Sequence, residues 1–156
     1  MTAKGARALP EFAAAPTREG GFTMIEVMMV VAIVAILAAI ALPNYSDYIK
    51  RGKIIEATSA LGDVRTRYEQ FFLDHRTYVG GCDVIKPVVN TARAFDIDCP
   101  GESATTYSGI ATGRAAEGMT NFVYEINQLN VHKTTNTGWG ATSADCWVIR
   151  KDGSCS

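Results

Sequence analysis

The chain is poor in the residues from which active sites are commonly built. It has two histidines, His75 and His132, far apart in sequence and with no carboxylate or cysteine beside them at metal-ligand spacing. Both read as surface or loop histidines. There is no G-x-S-x-G turn, phosphate-binding glycine loop, H-E-x-x-H helix or glycine-rich dinucleotide turn, so the chemistries those motifs support have no seat here. We expect no enzyme activity, no metal and no cofactor. An excess of one charge is also missing: 15 Lys and Arg stand against 16 Asp and Glu, a formal net charge of −1. The cations are scattered, and no basic face for nucleic acid or anionic lipid stands out. Arg93, Arg114, Lys133, Arg150 and Lys151 are the candidate phosphate contacts, a minor reading against the acidic balance.

Close cysteine pairs are absent too. Cys82, Cys99, Cys146 and Cys155 are too widely spaced for a structural zinc site, which takes its ligands in pairs such as C-x-x-C. An even number at wide spacing, behind an export-like N-terminus, favours disulfides in an oxidising compartment. Three pairings exist. The two local ones, Cys82–Cys99 and Cys146–Cys155, each pin a loop-rich segment and are preferred, each stabilising by about 2–4 kcal/mol on a disputed loop-entropy account. The alternative is four buried thiols in a cytosolic protein.

What the sequence does have is concentrated at its start. At 156 residues, 47% of them apolar, the chain has room for one domain, yet much of the apolar content sits in a single block, Phe22 to Leu42. Residues 1–21 are polar, rich in small residues and without hydrophobic periodicity, as in a processing segment. The block that follows carries one charge, Glu26. As a helix it spans about 31 Å, close to the hydrocarbon thickness of a bilayer. It is apolar all round, so it belongs in lipid or inside an assembly.

Three readings compete for this block: a plain anchor, a signal peptide cut after Ala41, and a helix that leaves the membrane to pack in a filament. Glu26 separates them, because a carboxylate one turn into an apolar run is costly without a partner. A signal peptide gains nothing from it, although snorkelling from the helix end is a simpler use. Cleavage between Gly21 and Phe22 would create an α-amino group four residues before Glu26. In a bundle of staggered parallel helices that amine can meet the Glu26 carboxylate of a neighbour, neutralising both and fixing the register.

Gly21-Phe22-Thr23-Met24-Ile25-Glu26, the apolar run, and then Leu42-Pro43-Asn44-Tyr45 together resemble the N-terminal methylation motif of type IV pilins. The resemblance is dense over residues 20–50. It implies cutting after Gly21 by a prepilin peptidase, N-methylation of Phe22, a requirement for Gly21 in cutting and for Glu26 in assembly. The leader is longer than is usual among the most similar pilins. The cysteine-bracketed C-terminus, Cys146 to Cys155, is similar to that of PilE-type pilins, whose disulfide-bounded loop is often the exposed variable surface.

Beyond the block, Pro43 removes a backbone donor and predicts a kink. A helix is predicted from about Thr23 to about Leu73. Tyr45, Tyr48, Ile49, Ile55, Leu61, Val64, Tyr68, Phe71 and Phe72 are expected on its core-facing side. His75 to Thr91, with Gly80, Gly81, Pro87 and Asn90, reads as a loop. Strands are expected over 94–99, 105–111, 121–128 and 131–135, joined by short connections and hence antiparallel. A further short strand and a turn are expected between Cys146 and Cys155. Trp139 and Trp147 read as core rather than as adhesive contacts.

The predicted architecture is α+β in the type IV pilin manner: a long helix packed on a small sheet of about four strands. The divisions are a leader at 1–21, a membrane and filament-core half of the helix at 22–42, and an extracellular head at 43–156. The expected role is structural: a pilus subunit anchored once in the inner membrane and later polymerised outside the cell, supporting motility, adhesion or DNA uptake. Its partners would be other pilin subunits, prepilin peptidase and the inner-membrane assembly machinery, with nucleic acid as the minor reading. The alternatives are a type II secretion pseudopilin, a secreted protein cut after Ala41, and a tethered domain that is never cut.

Overall fold

A computed structural model describes residues 21–155. The leader expected over residues 1–21 therefore lies outside the described residues, except for Gly21. The chain divides into two units, one up to Ala39 and one from Ile40 onward. Helix α1, Met24–His75, belongs to both and runs through Pro43.

In the second unit, α1 is followed by α2 (Gly81–Val89), β1 (Phe95–Asp98), β2 (Ser108–Gly113), a 3-10 turn at Ala115–Glu117, β3 (Val123–Asn127) and β4 (His132–Asn136). The four strands form one antiparallel sheet in chain order, as connections this short require. Phe95 faces Gly113, Ala111 faces Tyr124, and Ile126 faces His132 across the ladders. Alternation places Tyr124 and Ile126 of β3 in the core, with Val123, Glu125 and Asn127 half-buried between them. The tight β3–β4 connection is held by the Asn127 side chain, which accepts the Leu129 and Val131 N–H groups at 3.0 Å each.

The core lies between the sheet and α1. Ile54, Ala57, Leu61, Val64 and Tyr68 recur at intervals of three and four and are all fully buried, the apolar stripe of a helix covering one surface. Each large side chain so buried contributes about 1.5–3 kcal/mol. The helix comes close: a Cβ on Gly109 of β2 would fall 2.9 Å from Val64 Cγ1. Glycine is what lets α1 settle there.

Three expectations need correction. First, only part of the predicted stripe faces the core: Leu61, Val64 and Tyr68 are buried as expected, but Tyr45, Tyr48, Ile49 and Ile55 are exposed, and Ile54 is buried instead of Ile55. Ile55 lies about 100° around the helix from Ile54, so the two cannot share the narrow seam under which β2 passes. Second, the segment expected to be a loop contains α2. Gly81, Ile85 and Val89 are its buried residues, one face repeated every four residues, and this period outweighs the breakers around it. Third, the segment from Cys146 to Cys155 forms no strand, only a single bridge between Val148 and Cys155. Side chains fasten it instead: Tyr124 Oη donates to the Val148 carbonyl at 2.8 Å, Trp147 Nε1 to the Glu125 carbonyl at 2.9 Å, and the Val148 N–H to Thr134 Oγ1 at 2.9 Å.

Candidate functional site

The first unit is simple. From Phe22 to Ile36 every residue is exposed, and Phe22 itself is 84% exposed. No residue of its most apolar window is buried, so the segment finds no cover among the described residues of its own unit. At its start Thr23 and Glu26 close a reciprocal pair. The Glu26 N–H donates to Thr23 Oγ1 at 3.2 Å, and the Thr23 N–H donates to Glu26 Oε2 at 3.5 Å. This is a capping box, with threonine at the N-cap and glutamate three residues later. The bond to the carboxylate is long, and an ionised carboxylate has further acceptor sites. Glu26 can therefore start the helix and still receive a cation. Thr23 is a functional residue missed in the sequence, although T-x-x-E before an apolar run is the signal that marks it.

In the second unit, the head surface carries a groove of about 400 Å³ lined by Asp47 and Arg51 of α1, Trp139, and Arg150, Lys151 and Asp152 of the C-terminal loop. Of the scattered cations proposed for phosphate contacts, Arg114 is engaged by Asp96 at 2.6 Å and Lys133 by Glu125 at 3.2 Å. Arg93 lies apart from the groove lining. Arg150 and Lys151 do line it, and Arg51, which was not among the candidate phosphate contacts, joins them. None of these three forms an ion pair among the described residues. Arg51 Nε donates to the Asp47 carbonyl at 3.4 Å, which holds the base of the side chain. The Ser154 N–H, 2.9 Å from Asp152, keeps that carboxyl below its ordinary range. The groove is thus charged with both signs and has one aromatic wall, Trp139, which meets Phe122 edge-on at 5.1 Å between ring centres.

The cysteines lie in two joined pairs. Cys82 at the start of α2 meets Cys99 just after β1, with Cα atoms 5.7 Å apart. Cys146 meets Cys155 at 5.9 Å and closes the loop that carries Arg150 and Lys151. Trp147 is core, 7% exposed, whereas Trp139 is half-buried, packed on the core and open to the groove. The histidines stay apart from one another. His75 stacks on Phe71 at the end of α1, at 4.1 Å. His132 sits in β4 and stacks on Trp147 at 3.8 Å. Among the described residues no cluster of three or more His, Cys, Asp or Glu could hold a metal ion.

Comparison with known proteins adds two family matches and several relatives. Residues 16–42 match the prokaryotic N-terminal methylation motif. Residues 43–138 match the model described as type IV minor pilin ComP, DNA uptake sequence receptor. A fimbrial protein of Neisseria meningitidis serogroup A is 31% identical over 143 residues, covering 88% of this chain and 71% of that one. A type IV major fimbrial protein FimA of Dichelobacter nodosus is 52% identical over 54 residues, 35% of each chain. A type IV major pilin protein PilE1 of Neisseria gonorrhoeae is 44% identical over 59 residues, 38% of this chain and 36% of that one. The chain spans about a third of the length of those FimA and PilE1 relatives.

Proposed function

This chain belongs to the type IV pilin family, and we propose that it is made as a prepilin, cut between Gly21 and Phe22, N-methylated at Phe22 and assembled with other pilin subunits into an extracellular filament. The family is a structural one, and the role proposed is structural. Before assembly the block from 22 to 42 is the single inner-membrane span, and residues from 43 onward form the head. After assembly the same block exchanges lipid for neighbouring helices. Both surroundings are apolar, so the transfer avoids exposure to water. Glu26 would receive the methylated amino terminus of a neighbour, and Pro43, which has no N–H to donate, is where the helix would bend to fit. The observation that carries this reading is the apolar segment without cover in its own unit, headed by the motif that matches over residues 16–42.

The test is peptide mass spectrometry on sheared filaments and on membranes, in cells that contain prepilin peptidase. A chain beginning at methylated Phe22 in the filaments is the expected result. The same chain confined to the envelope would favour a type II secretion pseudopilin. A chain beginning at Leu42 would overturn the reading in favour of a secreted protein, and an uncut chain would leave only a tethered domain.

Among the activities of such filaments, we place DNA uptake ahead of motility and adhesion. Its support is the match of residues 43–138 to a model described by DNA reception, together with three cations in one groove. Arg51, Arg150 and Lys151 would contact phosphates, with Trp139 as an apolar wall. Replacing all three by alanine should weaken duplex binding and flatten its dependence on salt by about three phosphate contacts. Fluorescence anisotropy with labelled duplex at several salt concentrations measures both. Equal affinity and equal salt slope in the triple variant would remove the groove from the reading.

A further inference from the structure

The N-terminus of α2 is capped by a residue 22 positions beyond its N-cap. Its N-cap is Gly80, in the left-handed conformation at φ 85° and without a side chain to accept the first helical N–H groups. Glu102, in the β1–β2 connection, supplies the missing acceptor. Its Oε2 takes the Gly80 N–H at 2.9 Å, and its Oε1 takes the N–H of Cys82. The same Oε1 accepts the hydroxyl of Tyr68 at 2.5 Å, and Tyr68 is fully buried on α1. Three donors from two helices thus converge on one half-buried carboxylate, which also complements the positive end of α2.

The loop that presents Glu102 is braced by itself. Ser103 Oγ accepts the N–H groups of Thr105 and Thr106 at 3.2 and 2.9 Å, and the Ser103 N–H reaches the Thr106 carbonyl at 2.9 Å. Tyr107, next along, stacks on Tyr68 with ring centres 4.2 Å apart. None of these contacts involves sulfur. They nevertheless place Cys82, whose N–H is one of the three donors, beside Cys99, three residues before Glu102.

We propose that Glu102 is a positioning residue for the Cys82–Cys99 disulfide: the carboxylate docks the start of α2 before the covalent bond exists and so selects this pairing among the three possible. The chemistry is thiol–disulfide exchange. One cysteine thiolate attacks a disulfide-bearing oxidant and expels one of its sulfurs as thiolate. The other cysteine then attacks the mixed disulfide and expels the second. Two protein thiols become one disulfide, and one oxidant disulfide becomes two thiols. Cys146 and Cys155 need no such help, because the Ile149 N–H and the Ser154 carbonyl, 3.0 Å apart, close their loop from within. That pair serves as an internal clock.

The experiment uses the full chain in detergent micelles, reduced, transferred to oxidised glutathione, trapped at intervals by alkylation and mapped by mass spectrometry. Glu102→Gln leaves one acceptor oxygen where three donors need two. It should lower the rate of Cys82–Cys99 closure relative to Cys146–Cys155 closure by about tenfold or more, with mispaired species appearing. An unchanged ratio of the two rates, including equal slowing of both, would overturn the proposal. Hydrogen exchange supplies an independent arm. With Cys82 and Cys99 both changed to serine, the amides at the start of α2 should stay protected, and adding Glu102→Gln should abolish that protection while β3 remains protected. Protection lost in the serine variant alone, or kept in the triple variant, would equally refute it.

Discussion

Helix α1 contains two apolar stretches that look alike locally and end differently. From Val27 to Ile36 every residue is exposed within the chain, whereas Ile54, Ala57, Leu61, Val64 and Tyr68 are fully buried. The local structure is the same helix in both. The difference is how many faces are apolar. The second stretch presents one stripe, and a single sheet with Gly109 beneath it can cover one stripe. The first is apolar on every side, and no single surface can cover that. Its cover must surround it, as lipid does, or as a bundle of neighbouring copies does. If the chain assembles as proposed, one element uses both solutions: a helix finished by the sheet at one end and left for an assembly to finish at the other.

This contrast can be broken most severely at Glu26. If its carboxylate pairs with a neighbour's amino terminus, Glu26→Val leaves a buried charge unpaired at a cost on the order of 3–5 kcal/mol. Filament incorporation should then fall a hundredfold or more while the head's thermal unfolding is unchanged. Immunoblots of sheared filaments against whole cells measure the first, and calorimetry the second. Normal incorporation of the variant would remove Glu26 from assembly and leave it only the capping box with Thr23.

A matched pair of substitutions sharpens the contrast. Leu61→Ala removes a fully buried side chain and should destabilise the head by about 2–5 kcal/mol in denaturant unfolding. Leu37→Ala makes the same change on the same helix at a residue 62% exposed and should leave that transition where it was. Equal effects at the two positions would mean that the first unit is covered within the chain after all.

The two regions also differ in how far they could be read from sequence. The methylation motif and the helix of the first unit were legible because their signals are contiguous: the residues of the motif and the unbroken apolar run lie within one stretch. The strands were legible for a similar reason, since alternation such as Phe122, Tyr124 and Ile126 is local. What escaped depended on contacts between distant residues. The seam of α1 is fixed by where β2 passes under it, so choosing Ile55 over Ile54 could not be avoided from apolarity alone. Helix α2 was hidden because Gly80 and Pro87 read as breakers, while its missing cap is supplied by Glu102. Arg51 gained its place only when the C-terminal loop brought Arg150 and Lys151 beside it. Between Cys146 and Cys155, Val148 and Ile149 suggested a strand, but the segment is held instead by the Tyr124 hydroxyl on the Val148 carbonyl, the Val148 N–H on Thr134 Oγ1 and the Trp147 indole N–H on the Glu125 carbonyl.

Those same bonds predict a limited effect at the second disulfide. Changing Cys146 and Cys155 to serine should lower head stability by about 2 kcal/mol and loosen the tip that carries Arg150 and Lys151. The Val148 amide, held by Thr134, should stay protected from exchange. Loss of protection at Val148 would show that the covalent bond, and not the side-chain bonds, holds the segment to the sheet.

The smallest effect expected is one of pH. His132 lies half-buried against Trp147, and burial, with the nearby positive charge of Arg65, lowers its pKa below the ordinary value. The folded head therefore prefers the neutral ring. The stability this gives is fully present above the unfolded pKa of about 6.5 and is lost as pH falls from there toward the folded value. Because the ring is partly solvated, the loss should be small. The carboxylates act in a separate window. Glu117, held low chiefly by its hydrogen bond from Lys53 at 3.0 Å, and Asp96, held low chiefly by its hydrogen bond from Arg114, contribute stability that is lost only at lower pH, below the ordinary carboxylate range. A decline between pH 7 and 5 thus belongs to His132. His132→Phe, which keeps an aromatic ring on Trp147 and has no proton to gain, should flatten the unfolding midpoint over that interval. If the wild-type head and the variant lose stability in parallel there, the proton is binding elsewhere and the stacked ring is only packing.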